Sequence, residues 1–297
     1  MIKRHLGIFG LVFFSATALA QDPFSATYRD TQAFMLELAN RFPQTTRVVD
    51  IGPSDSGAMI QGLMIGNGPV RNLVVATHHG NEYGSTEVAK AFAESVAEAP
   101  ILGQTLFVIP VVNVSGYDHR ERREWKNGQT LDPNRNYPGP CGTEGPFSLQ
   151  STASVAQFID KAGIVSAATL HTFSPAVVYP WGLASPDLST PYDDIFKMLV
   201  QAATVESHYK TGNSTQVVYA ANGTFEDFAF WQHGIWAILF EMGHTHSPNL
   251  PGLTQLIREN VPGLRQMFQQ APTLRAENHG FNGRCDNRLN HLDSYQE

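Results

Sequence analysis

Apolar residues in this chain recur at two periods, and the switches between them divide it into elements. Residues 32–42 carry Phe34, Met35, Leu38 and Ala39 at helical spacing. Residues 47–51 and 58–65 read as strands on either side of a Gly-Pro-Ser-Asp-Ser-Gly turn. Residues 73–76 form a β-branched apolar run, long enough for a buried strand and too short for a helix, and residues 85–99 predict the helix that follows. Another β-branched run covers 105–112. Residues 113–147 are irregular and rich in Arg, Asn, Gly and Pro, a length at which loops in compact domains are functional or mobile. Helix is predicted over 151–162 and strand over 164–170, ending at His171. The longest helical stretch is 192–209; 217–219 is strand-like and 225–232 helical. A buried strand over 235–240 ends at Glu241, and a last helix over 253–269 is expected to break near Pro262.

This alternation predicts an α/β fold: a three-layer sandwich with a mixed, mostly parallel central sheet and helices on both faces. The early hairpin places the antiparallel part at one edge. With no internal repeat or low-complexity tract, residues 21–297 are expected to form one domain. Residues 1–20 are set apart. Lys3 and Arg4, an apolar core over 6–14 and Ala18-Leu19-Ala20 make a secretory signal peptide, too short in its apolar part to span a membrane. The simple leader points to a bacterial periplasmic or secreted protein. Its removal takes away two positive charges and turns a formal charge of −7 into −9. An acidic chain without a Lys/Arg-rich run argues against nucleic acid as a partner. In an oxidising compartment Cys141 and Cys285 could pair, the other reading being two free thiols.

The candidate chemistry lies where predicted strands stop. His79 and Glu82 follow one strand, His171 ends a second and Glu241 a third. Parallel-rich sheets place binding groups at the carboxyl ends of their strands. A single His or Glu there is more often a satisfied polar residue than a ligand; the coincidence at one sheet edge is what carries weight. His79, Glu82 and His171 offer two nitrogens and a carboxylate, a set that holds one catalytic zinc and leaves a position for water. Glu241 is then free to act as the base.

The ordered set His79-Gly-Asn-Glu82, Asp132-Pro-Asn-Arg-Asn-Tyr137, His171-Thr-Phe-Ser174 with Tyr179-Pro-Trp-Gly182, and Phe240-Glu241 resembles the M14 zinc metallocarboxypeptidases. The resemblance implies one Zn2+ per chain, held by His79, Glu82 and His171. It implies that Asn134 and Arg135 grip the free C-terminal carboxylate of a peptide, that Tyr219 closes over the terminal residue, and that Glu241 is the general base. The implied reaction is hydrolysis of the last peptide bond, on ordinary peptides or on cell-wall stem peptides, by a monomer active without a propeptide.

Two positions depart from the pattern. For the arginine that polarises the scissile carbonyl, the chain offers Arg120, Arg122, Arg123 and Lys126, and the resemblance to smaller bacterial members favours Arg123. Glu226 matches the floor of the specificity pocket, where an acid favours a basic terminal residue; alternatively it faces outward on its short helix beside Asp227. His78 is expected to pack or hydrogen-bond at the strand end, and His244 and His246 to sit on the cleft rim. The four tryptophans read as packing or pocket-wall residues, with Trp181 bordering the cleft. Two competitors stand: an N-acyl amino acid deacylase of the succinylglutamate desuccinylase and aspartoacylase type, and a zinc-binding protein without catalysis.

Overall fold

A computed structural model describes residues 25–286, so the leader assigned to residues 1–20 lies outside the described residues. The first helix, α1 (Tyr28–Arg41), begins where Thr27 N donates to the Asp30 carboxylate at 2.7 Å. Strands β1 (Thr46–Pro53) and β2 (Met59–Gly66) make the expected hairpin, followed by β3 (Val70–Ala76), α2 (Tyr83–Glu98) and β4 (Gln104–Ile109). Next come α3 (Val114–His119) and a small hairpin of β5 (Glu124–Lys126) and β6 (Gln129–Leu131). Then follow α4 (Gln150–Ala162), β7 (Ser166–His171), β8 (Ala176–Tyr179), α5 (Asp193–Ala203) and β9 (Lys210–Asn213). The short α6 (Ser214–Val217), α7 (Phe225–His233), β10 (Trp236–Glu241) and α8 (Leu250–Gln270) complete the order.

Eight strands form one sheet in the order β1-β2-β4-β3-β7-β10-β8-β9. The central four, β4, β3, β7 and β10, run parallel. Antiparallel pairing joins β1 to β2, β2 to β4, and β8 to β10. The sheet is therefore mixed on both sides of its parallel centre, where one mixed edge was expected. Alternate residues of each central strand enter opposite cores, as the pleat requires. Val74, Ala76, Leu170, Ile238 and Phe240 pack with α2, α5 and α8. Leu73, Val75, Ala167 and Ala237 pack with α4 and α7. These two cores are the interfaces of the three layers.

Other expectations change. Residues 113–147 contain α3, the β5–β6 hairpin and a 3-10 turn at Pro133–Arg135. The polar strand β9 lies just before the run 217–219, whose first residue instead ends α6. The longest helix is α8, and it passes through Pro262 without a break. Gly263 beside it lies so close to Ala203 O that a Cβ would sit at 1.9 Å. Cys141 and Cys285 are joined in a disulfide across 144 residues. Among the described residues no helix is long and apolar enough to cross a membrane.

Candidate metal centre and substrate cleft

β3 ends in a turn built by side chains. Thr77 takes φ +60°, and its hydroxyl reaches Pro110 O at 2.9 Å and Thr86 Oγ1 at 2.6 Å. Gly80 follows, where a Cβ would fall 2.0 Å from the Gly116 carbonyl carbon; no other residue fits that approach. The chain thereby doubles back and points both His79 and Glu82 at the end of β7. His79 Nδ1 lies 2.7 Å from Glu82 Oε1, and His171 Nδ1 lies 3.1 Å from Glu82 Oε2. The two Nδ1 atoms are 3.2 Å apart. One donor atom from each of the three residues falls within 4.8 Å of the others, and all three side chains are buried. Two ring nitrogens and a carboxylate converging in this way fit a tetrahedral zinc site with one position to spare.

Charge around the donors supports the fit. Asp132 Oδ1 accepts from His79 Nε2 at 3.1 Å, which fixes the proton on that nitrogen and leaves Nδ1 with a lone pair for the metal. Burial raises the Glu82 carboxyl, but the His79 and His171 rings outweigh it and hold it well below the usual carboxylate range. Burial lowers the His171 ring, and Glu82 overcomes this to push it up to about 9 without metal. A divalent cation would take the place of that proton.

Glu241 pairs with His171 in the β10–β7 register, so both side chains leave the sheet on one face. Burial pushes its carboxyl up to about 7, against the pull of His171. Arg122, not Arg123, reaches the donor cluster. Its Nη1 is 3.2 Å from His79 Nδ1 and 3.7 Å from Glu82 Oε1, and its Nη2 donates to Asp132 Oδ2 at 2.9 Å. Arg123 lines the same cleft. Of the two arginines expected near the bond, Arg122 is thus the one with contacts to the donor residues. In the sequence Asp132 stands out only as the first residue of Asp132-Pro-Asn-Arg-Asn-Tyr137, between the candidate arginines and Asn134-Arg135.

Of the remaining residues, Tyr219, His244 and His246 line one cavity with Glu82, Arg122 and Glu241, about 1030 Å³ in volume, whereas Asn134, Arg135 and Glu226 are not among its lining residues. Asn134 Oδ1 accepts from Phe225 N at 2.9 Å, which commits its oxygen to the protein. Arg135 Nη2 donates to Tyr219 OH at 3.1 Å, and Tyr219 lines the cleft. Glu226 is buried on α7, where its carboxylate accepts from Thr169 Oγ1 of β7, so the outward-facing alternative fails. Asp227 turns away and takes Gly182 N at 2.9 Å; burial pushes its carboxyl up to about 8. His78 stacks on His171 and meets Tyr137 OH at 3.0 Å, outside the donor set. His244 and His246 line the cleft, the latter with Nδ1 2.7 Å from Thr172 O. Trp181 is buried in the core against Phe230 and Phe281 and does not border the cleft.

The zinc carboxypeptidase family profile matches residues 31–263. Carboxypeptidase B of the crayfish Astacus astacus is 26% identical over 73% of this chain and 86% of its own length. Mouse carboxypeptidase A1 is 24% identical over 78% of this chain and 66% of its own length. Among solved structures, bovine thrombin-activatable fibrinolysis inhibitor superposes with a TM-score of 0.74 at 19% identity, over 82% of this chain and 96% of that one. The match covers all three donors, the Asn-Arg pair and Glu241, and on it the chain belongs to the zinc carboxypeptidase family.

Proposed function

We propose that this metallocarboxypeptidase removes C-terminal residues from peptides, with Asn134, Arg135 and Tyr219 binding the terminal residue and Arg122 and Glu241 acting at the bond. The observation that carries this reading is the meeting of His79, Glu82 and His171 within 4.8 Å, beside Arg122 and in register with Glu241. When held by those three residues, zinc supplies a Lewis acid and lowers the pKa of a bound water towards neutrality. Arg135 pairs with the terminal carboxylate in a charge-assisted contact, and Asn134, its oxygen already committed, offers its amide N–H. Arg122 faces the scissile carbonyl and stabilises the oxyanion as it develops. Glu241 takes the proton of the attacking water and delivers it to the leaving nitrogen as the carbon–nitrogen bond breaks. The products are a shortened peptide with a new carboxylate and a free amino acid.

Glu226 supports a finer reading. A carboxylate buried on α7 and bonded to Thr169 of β7, at the position that matches the family's specificity-pocket floor, favours a terminal Lys, Arg or diaminopimelate over an apolar residue. The test is digestion of Lys-, Phe- and Glu-terminated peptides, a muropeptide and an N-acyl amino acid, followed by weighing the products. Release of the terminal Lys is expected, with Glu226→Gln removing the preference for it over Phe. Glu241→Gln should lower kcat by about 10²–10⁴. Chelation should abolish turnover and zinc restore it. Cleavage of the N-acyl amino acid alone would replace this reading with the deacylase.

A further inference from the structure

The cleft extends beyond the groups that act on the last bond. At about 1030 Å³ it stands at the upper end for pockets that enclose a drug-sized ligand, several times one amino-acid side chain. With a peptide's terminal carboxylate at Arg135 and its last amide beside the donor cluster, its preceding residues continue along the remaining wall. On one side that wall is Glu121, Arg123 and Thr130, from the β5–β6 hairpin and its entry.

The hairpin is docked by one face and presents the other. Glu124 and Lys126 point to its underside, as residues two apart do in a strand. There Glu124 accepts from Ser151 Oγ, and Lys126 reaches Ser148 O and Asp55 Oδ1, the latter at 3.0 Å. Trp125, between them, points the opposite way. It lies directly across from Thr130 in the register, so the two share a face, and Thr130 lines the cleft. The indole is 45% exposed, although its Nε1 is held by the carboxylate of Glu121, itself a cleft residue. A large aromatic left uncovered yet fixed by its polar edge loses little freedom when a ligand stacks on it.

We propose that Trp125 is a binding platform for a substrate residue upstream of the scissile bond, taking an aromatic or branched apolar side chain against the indole. This deepens the carboxypeptidase reading and rests on it. The experiment compares a blocked dipeptide, too short to reach the hairpin, with pentapeptides carrying Phe or Gly at each upstream position. Trp125→Ala is expected to lower kcat/KM about fivefold to tenfold for one Phe-bearing pentapeptide, through KM, with the blocked dipeptide unchanged. Trp125→Phe should recover most of the loss. Equal losses on dipeptide and pentapeptide would mean a structural role and overturn the proposal, as would no loss on either. A loss confined to a glycan-bearing muropeptide would overturn it as well, because the platform would then read sugar. Binding of the same peptides to Glu241→Gln protein, with and without Trp125→Ala, reads the platform without turnover. Wild-type inactivity on dipeptide and pentapeptides alike, with Trp125-dependent peptide binding intact, would count against the hydrolytic reading alone.

Discussion

Asp132 accepts from His79 Nε2 through one oxygen and from Arg122 Nη2 through the other, so a single carboxylate orients a metal donor and the nearest guanidinium. Burial raises this carboxyl, but His79 outweighs it, and Arg135 and Arg122 add to the pull, so it stays ionised well below the usual range. Partners of this kind, once removed, cost about 10–100-fold in metal affinity. Asp132→Ala is therefore expected to weaken zinc binding by about that factor, measured by competition with a chromogenic chelator. Asp132→Asn keeps an acceptor for His79 but drops the charge facing Arg122, and should retain more zinc affinity than activity. The donors themselves were legible in the sequence because His and Glu are conspicuous where apolar runs end. The choice between Arg122 and Arg123 was not legible. The two are adjacent in a bend before β5, and only the folded approach of that segment decides which one meets His79.

The β5–β6 hairpin carries that decision at the scale of the element. Its turn is Asn127-Gly128, both at positive φ, the pairing a two-residue hairpin prefers. That signal stood in the sequence, but three-residue strands without an apolar run gave no periodicity to flag it. The strands of the parallel centre read well for the opposite reason: buried on both faces, they carry unbroken apolar runs such as Leu73–Ala76, Leu106–Ile109 and Trp236–Phe240. Strand β9, Lys-Thr-Gly-Asn at the sheet edge, has no such pattern and was missed. Docking of the hairpin depends on Glu124, fully buried against Ser151 with Asp55 and Lys126 alongside. Burial pushes its carboxyl from 4.5 up to about 7. The folded protein thus keeps a proton that the unfolded chain has lost between those values. Its contribution to stability is full below pH 4.5 and is lost as pH rises through about 7, up to about 3 kcal/mol in all. Glu124→Gln, which cannot ionise, should flatten this part of a thermal-midpoint profile between pH 5 and 8. A variant with an unchanged slope would place the titration elsewhere.

At the scale of the whole molecule, the end of the described chain returns to the loop that follows Asn134 and Arg135. The tail passes Gly234, where Ala276 N donates at 2.8 Å, and sets Phe281 against Trp181. It then pairs Arg284 with Asp187 and reaches Cys141 through Cys285. Cys141 belongs to the loop that follows Asn134 and Arg135. In that loop Gly139 lies against Gly223, and Tyr137 N donates to Gly223 O at 3.0 Å. Gly223 has φ +80°, and a Cβ there would lie 2.7 Å from Arg135 O, so the backbone at Arg135 is in close contact with the braced segment. Ala184 N to Asn222 Oδ1 at 3.0 Å, and Asp286 N to Ala184 O at 2.8 Å, tie the same two regions from the tail side. A bridge closing 144 residues restricts the unfolded chain strongly, and loss of a native disulfide costs about 2–5 kcal/mol. Cys141→Ser with Cys285→Ser should accordingly lower the thermal midpoint. Its kinetic signature is more specific: KM for a C-terminal peptide should rise while kcat holds, because the brace lies behind Arg135 and not behind His79, Glu82 or Glu241. A fall in kcat at constant KM would mean that the disulfide supports the hydrolytic centre instead.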